Sequence, residues 1–144
     1  MAEQPRKAAF KIVVRRVERP FSNEPAEELE WICRTLGFFD SDGESPASVV
    51  FKEIVRANES GEGLTSTALA RHLDMSRGAL INHLNNLMRS GLIVREGRYY
   101  EPRSRSLFRT IEEIEEDVER IFAKMKRTAR LIDQDLGLPE TRNE

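Results

Sequence analysis

Apolar positions along this chain follow a helical period up to residue 91 and an alternating one just beyond it. Ala68, Leu69 and either His72 or Leu73 lie one turn apart and predict a short helix, with Ser66 or Thr65 as its N-cap. Asp74-Met75-Ser76 interrupts that helix. Ser76 then stands where a second N-cap belongs, its hydroxyl facing the amides of Gly78 or Ala79, and Leu80, Leu84 and Leu87 form the apolar stripe that follows. Gly91 ends the second helix. After it, Leu92-Ile93-Val94-Arg95 and Arg98-Tyr99-Tyr100-Glu101 flank Glu96-Gly97, which reads as the two-residue turn of a tight β-hairpin.

The same period locates the other elements. Leu107, Ile111, Ile114, Val118, Ile121, Met125, Thr128 and Ile132 recur at alternating spacings of four and three, a heptad seam on one long helix from about Ser106 to Leu136. Gly137 and Pro139 end it. Such a seam predicts pairing between two chains, parallel or antiparallel, with one helix lying on its own domain as the plainer reading. Acidic side chains gather early in this helix (Glu112, Glu113, Glu115, Glu116, Asp117, Glu119) and basic ones later (Arg120, Lys124, Lys126, Arg127, Arg130). That polarity suits the helix dipole and lets antiparallel partners match opposite charges.

Upstream, Ser22-Asn23-Glu24 before Pro25 predicts a helix to about Leu36, stopped by Gly37, with Leu29, Trp31, Ile32 and Cys33 as core cover. Asp40 to Glu44 reads as a polar loop. Ser45-Pro46 opens a helix through Val49, Val50, Phe51, Ile54 and Val55 to Asn58, placed to support the helix pair from behind. Glu59 to Gly63 is a polar connection. Residues 1 to 8 read as disordered, whereas Ala9 to Val17 satisfies both periods, its β-branched residues favouring a strand. Lys7, Lys11, Arg15, Arg16 and Arg19 make this arm basic, suited either to a phosphate backbone or to a structural contact with a partner subunit.

Helix, tight turn, helix, strand, turn, strand is the order of a winged helix-turn-helix. The segment ALARHLDMSRGALINHLNNLMRSGLIVREGRYY resembles the winged-helix transcriptional regulators of the ArsR-like and MarR-like kind. The fold class expected is therefore mainly α, a winged helix-turn-helix with a short hairpin wing, an N-terminal extension and a long C-terminal helix. Its divisions are 1–24 for the arm, 25–105 for the winged domain and 106–144 for the dimerisation helix and tail. Metal-sensing ArsR-like proteins carry cysteine pairs in the first helix of the motif or Asp/His sets on the last helix. This sequence has neither, so the resemblance does not extend to an inorganic effector.

Composition sharpens this picture through the distribution of charge. The net charge is −2, which taken alone argues against a nucleic-acid partner. Residues 1–20 carry six basic and two acidic side chains (+4), 21–63 three and ten (−7), 64–105 seven and three (+4), and 106–144 seven and ten (−3). Positive charge thus collects on the helix-turn-helix and wing. Cys33 is the single cysteine, excluding an internal disulfide and a cysteine cage. His72 and His83 have no ligand neighbours at metal spacing, so no metal or cofactor is expected. With no apolar run of eighteen residues and no signal-peptide pattern, a cytoplasmic protein without membrane contact is expected. No nucleophile elbow or singled-out carboxylate pair points to an enzyme.

The function expected is a DNA-binding transcriptional regulator, a homodimer reading a palindromic site with Ser76–Arg89 in the major groove. Arg77, Asn82 and Asn85 are expected at base edges, because guanidinium pairs bidentately with guanine and carboxamide with adenine. Gly78, Ile81 and Arg89 complete the outer face of that helix. Ser66, Thr67 and Ser76 would hold phosphates at helix N-termini, and Arg95 and Arg98 on the wing would meet the flanking groove. Leu107, Ile111, Ile114, Val118, Ile121, Met125 and Ile132 would form the dimer seam, setting recognition helices about 34 Å apart. Phe108, Phe122 and Tyr99 lie where an effector pocket between long helices would form. The alternative function is a winged-helix protein-interaction module within the transcription machinery, using the acidic 21–63 segment.

Overall fold

The computed structural model describes residues 11–38, 45–61 and 63–139. Over these residues the order is α1 (Pro25–Thr35), α2 (Pro46–Glu59), β1 (Leu64–Thr65), α3 (Ser66–Leu73), α4 (Arg77–Ser90), β2 (Ile93–Glu96), β3 (Tyr99–Pro102) and α5 (Leu107–Leu136). The elements start where short polar side chains can satisfy free amides. Ser45 Oγ accepts from Ser48 N–H, Thr65 Oγ1 from Ala68 N–H, Ser76 Oγ from Ala79 N–H and Ser106 Oγ from Arg109 N–H, all at 3.0–3.2 Å. Only α1 lacks such a cap: Ser22 accepts from Glu24 N–H instead, and Pro25 starts the helix without a donor to satisfy.

The core forms where α2, α3 and α4 bring their apolar faces together over the sheet. Val50, Phe51 and Ile54 of α2, Leu69 of α3 and Leu80, Leu84 and Leu87 of α4 are all buried, joined by Leu92, Ile93 and Tyr100. Each such side chain contributes about 1.5–3 kcal/mol on full burial. Leu73, not His72, continues the inner face of α3: Leu73 packs against the core, while the exposed His72 imidazole lies 3.4 Å from Glu53 of α2. Cys33 is wholly buried, and burial, with Glu30 nearby, pushes its thiol up to about 11. It is a protonated packing group at neutral pH.

Three sequence expectations change here. The sheet has three strands in the order β1-β3-β2, because Leu64 and Thr65, the latter read only as a possible cap, pair with Tyr100 and Tyr99. The hairpin turn is Gly97-Arg98, one residue later than Glu96-Gly97, since Glu96 pairs with Tyr99. Gly97 has φ of 63° and Arg98 is not among the positive-φ residues, so glycine occupies the one turn position that needs it. The described part of the arm, from Lys11, forms neither strand nor helix. Its backbone is tied singly to helix ends, Lys11 N–H to Arg89 O at 3.0 Å and Arg15 N–H to Thr35 O at 2.7 Å, so no ladder develops. Residues 1–10 and the 40–44 loop lie outside the described residues.

The α5 helix matches its predicted bounds, with Gly137 at φ of 72° closing it. Its seam divides. Ile114 is buried at 4% exposure, and Leu107, Ile111 and Val118 pack against the same core, whereas Ile121, Met125 and Ile132 are about half exposed at 47, 50 and 50%. The first turn of α5 holds no acid and the last no base. Its charge polarity therefore serves contacts along the helix and not the ends. Among the described residues no helix is long and apolar enough to cross a membrane.

Candidate nucleic-acid interface

A tight link sets the angle between α3 and α4. Asp74 takes the left-handed conformation (φ 53°), the one non-glycine to do so among the described residues, and Met75 N–H returns to Ala70 O at 3.2 Å. Aspartate tolerates that region better than most residues. Two residues later the Ser76 cap starts α4, and at its far end Gly91 (φ 88°) and the Leu92 N–H to Leu87 O bond stop it. With the three leucines turned inward, Arg77, Gly78, Asn82, Asn85 and Arg89 are left exposed. A Cβ built on Gly78 meets nothing within 4 Å, so the helix start is open to a close neighbour. Ile81 differs from the others: it is half-buried against the core and offers only part of its side chain outward.

The wing brings two arginines to the same side. Arg95 Nε donates to Gly97 O at 2.7 Å, which folds its side chain back over the turn, and its guanidinium lies 5.6 Å from the Tyr100 ring centroid. Arg98 lies 5.7 Å from the Tyr99 ring. Stacking on rings that belong to the sheet restricts both arginines before any partner arrives. Gly63 makes this docking possible: a Cβ there would stand 2.9 Å from Tyr99 Cβ, so a side chain would push the wing from the start of β1.

Between wing and helix starts lies a cavity of about 350 Å³, lined by Thr65, Ser66, Thr67, Arg77, Arg95, Arg98 and Tyr100. Three guanidinium groups and no carboxylate line it. Five of the predicted DNA-contacting residues thus come together from α3, α4 and the wing: Ser66, Thr67, Arg77, Arg95 and Arg98. Forked guanidinium donors, the hydroxyls of Ser66 and Thr67 and the positive end of α3 suit a phosphate oxygen chemically. Ser76, Asn82, Asn85 and Arg89 are not part of this lining. Ser76 Oγ is engaged in its cap, and Arg89 stands at the opposite end of α4, lining a second cavity with Lys11 and Asn86. Sequence reasoning missed Thr65 and Tyr100 as lining residues, although the alternation of Arg98-Tyr99-Tyr100 already puts Tyr100 on the inner side of the hairpin. His83 is half-buried on α4, and burial holds its pKa below the ordinary histidine value.

Behind the wing, the link to α5 is clamped by charge. Arg103 bridges Glu113 (3.2 Å) and Asp117 (2.8 Å), Arg120 also pairs with Asp117, and Ser104 Oγ donates to Glu113 at 2.7 Å. Arg109 faces Glu112, Glu113 and Glu116 at 3.3–3.5 Å. Much of the acidic run expected to meet a second chain is therefore paired within its own. Phe108, Phe122 and Tyr99, expected near an effector pocket, are exposed.

A family model described as "Bacterial regulatory protein, arsR family" matches residues 52–94, from within α2 to the middle of β2. The match bears out the ArsR-like part of the resemblance and the winged helix-turn-helix, and it supports a DNA-binding transcription regulator. No curated protein and no solved structure matches the chain.

Proposed function

We propose that this chain regulates transcription in the cytoplasm as a homodimer reading a palindromic duplex site, with α4 in the major groove and the wing on the flanking groove. The observation that carries the reading is the convergence of Ser66, Thr67, Arg77, Arg95 and Arg98 on one cavity without acids, beside the open start of α4. In this arrangement a backbone phosphate sits against the wing guanidinium groups of Arg95 and Arg98 and the hydroxyls of Ser66 and Thr67, which fixes the register of α4. Arg77, Asn82 and Asn85 then face base edges, Arg77 by bidentate contact to guanine and the asparagines to adenine. Gly78 lets the helix backbone approach the groove.

The exposed outer half of α5 supports the dimer. Ile121, Met125 and Ile132, with Phe122 and Leu136 beside them, form an apolar face that the chain's own core does not cover. Pairing these faces across a two-fold axis would hold the recognition helices about one turn of duplex, roughly 34 Å, apart. The domain divisions follow: an arm (1–24), a winged domain (25–105) and a dimerisation helix with its tail (106–144).

The test is selection of bound duplexes from a random pool at two salt concentrations. A recovered palindrome with steep salt dependence is the expected result, and Arg95→Gln or Arg98→Gln should each lower the salt slope by about one without changing the recovered sequence. Absence of enrichment at both salts would overturn the proposal in favour of a winged helix that binds protein.

A further inference from the structure

Another cavity lies away from the wing. It has a volume of about 540 Å³, within the range of small-ligand sites. The arm contributes Val17 and Glu18, α1 contributes Glu27, Glu30, Trp31 and Arg34, and α2 contributes Lys52. Trp31 is held in place, because its indole N–H donates to Val17 O at 2.7 Å. An aromatic wall fixed in this way loses little freedom when a ligand packs on it.

The polar groups of the lining decide what chemistry fits. Arg34 and Lys52 both have partners already. Glu30 is only half satisfied: Oε2 lies 3.4 Å from Ser45 N–H and 3.9 Å from Arg34, while Oε1 is buried without a hydrogen-bond partner among the described residues. The terminal carboxylate torsion is soft, so a small turn can offer Oε1 to an N–H donor in the cavity. Glu18 and Glu27 add exposed negative charge to the lining. The chain itself shows the fitting chemistry, since the Arg19 guanidinium lies 5.6 Å from the Trp31 ring centroid and pairs with Glu28 at 3.2 Å. A cation held between this indole and an α1 carboxylate is thus already a feature of the fold.

We propose that the cavity between the arm and α1 binds an organic cation, an aromatic or aliphatic ammonium whose apolar body packs on Trp31 and whose N–H groups meet Glu30 and Glu27. This inference stands apart from the DNA-binding reading. Trp31 is the only tryptophan of the chain, so its emission reports on this site alone. The experiment titrates the full-length protein with benzylammonium, phenylacetate and benzyl alcohol at one ionic strength and follows that emission. The expected result is a saturable change with benzylammonium at concentrations at least tenfold below those of the other two. In the double variant Glu18→Gln/Glu27→Gln, both positions being exposed, the benzylammonium affinity should fall by about two- to fivefold. Equal response to all three probes would mean an apolar slot without charge preference. No saturable response to benzylammonium would mean that the cavity is closed or takes another ligand. Either outcome overturns the proposal.

Discussion

The two halves of α5 carry one continuous seam and have opposite surroundings. From Leu107 to Val118 the apolar positions pack into the chain's own core, and the charged flanks are paired with Arg103 and Arg109. From Ile121 onward the same period faces solvent. A heptad pattern therefore establishes that a helix has an apolar face but not which surface covers it. The division falls at the reach of Arg103, whose side chain ends on Asp117. One turn later the winged domain no longer lies beneath the helix.

The largest effect is expected in the outer half. In the proposed dimer, Ile121→Glu with Ile132→Glu would remove four isoleucines from the two-fold interface, and at about 2 kcal/mol each this exceeds what a typical dimer can lose. Sedimentation should show a monomer whose unfolding temperature at the lowest concentration matches that of dissociated wild type. An unchanged oligomeric state would remove the outer half from the dimer interface.

In the inner half the effect moves to folding itself. Ile114→Ala leaves a cavity in the core and should cost about 3 kcal/mol in urea unfolding. Asp117→Ala should cost somewhat less, about 2 kcal/mol, because Arg103 loses one carboxylate in a largely buried position but keeps Glu113. Neither should abolish self-association at temperatures where the protein remains folded. Ser106→Ala, which removes the acceptor for Arg109 N–H, should cost about 1 kcal/mol, and the loss should be the same in the dissociated protein. A loss seen only in the dimer would place the inner half in the interface after all.

The helix pair, its two caps and the limits of α2 and α5 were legible in the sequence because each depends on residues within one or two turns. Ser76 before Ala79, Gly91 after Ser90 and Ser106 before Arg109 are local rules with local outcomes. What was not legible depends on distant partners. Leu64 and Thr65 become a strand only because β3 lies beside them, some thirty-five residues later. Ile12, Val13 and Val14 look like a strand, yet the nearby acceptors are the single carbonyls at helix ends, Arg89 O and Thr35 O. The hairpin turn moved by one residue because the pairing of Glu96 with Tyr99 leaves Gly97 to take the positive φ. Among candidate contacts, the convergence of Arg77 with Arg95 and Arg98 follows from tertiary packing, as does the partial burial of Ile81.

The smallest effect is expected at the tip of α5. Gly137 holds the left-handed position with its N–H on Gln134 O at 3.2 Å, and Leu138 N–H reaches Asp133 O at 2.8 Å. A Cβ at Gly137 meets nothing within 4 Å, so Gly137→Ala carries only the backbone cost of a left-handed alanine, about 1 kcal/mol. Outer turns that rest on no core can fray without unfolding the domain. In the monomeric Ile121→Glu/Ile132→Glu background, the substitution should therefore speed hydrogen exchange of amides near Asp133 by up to about fivefold while leaving the Ile114 amide unchanged. Faster exchange reaching Ile114 would mean that the two halves unfold as one unit, and that the contrast between them is one of exposure but not of stability.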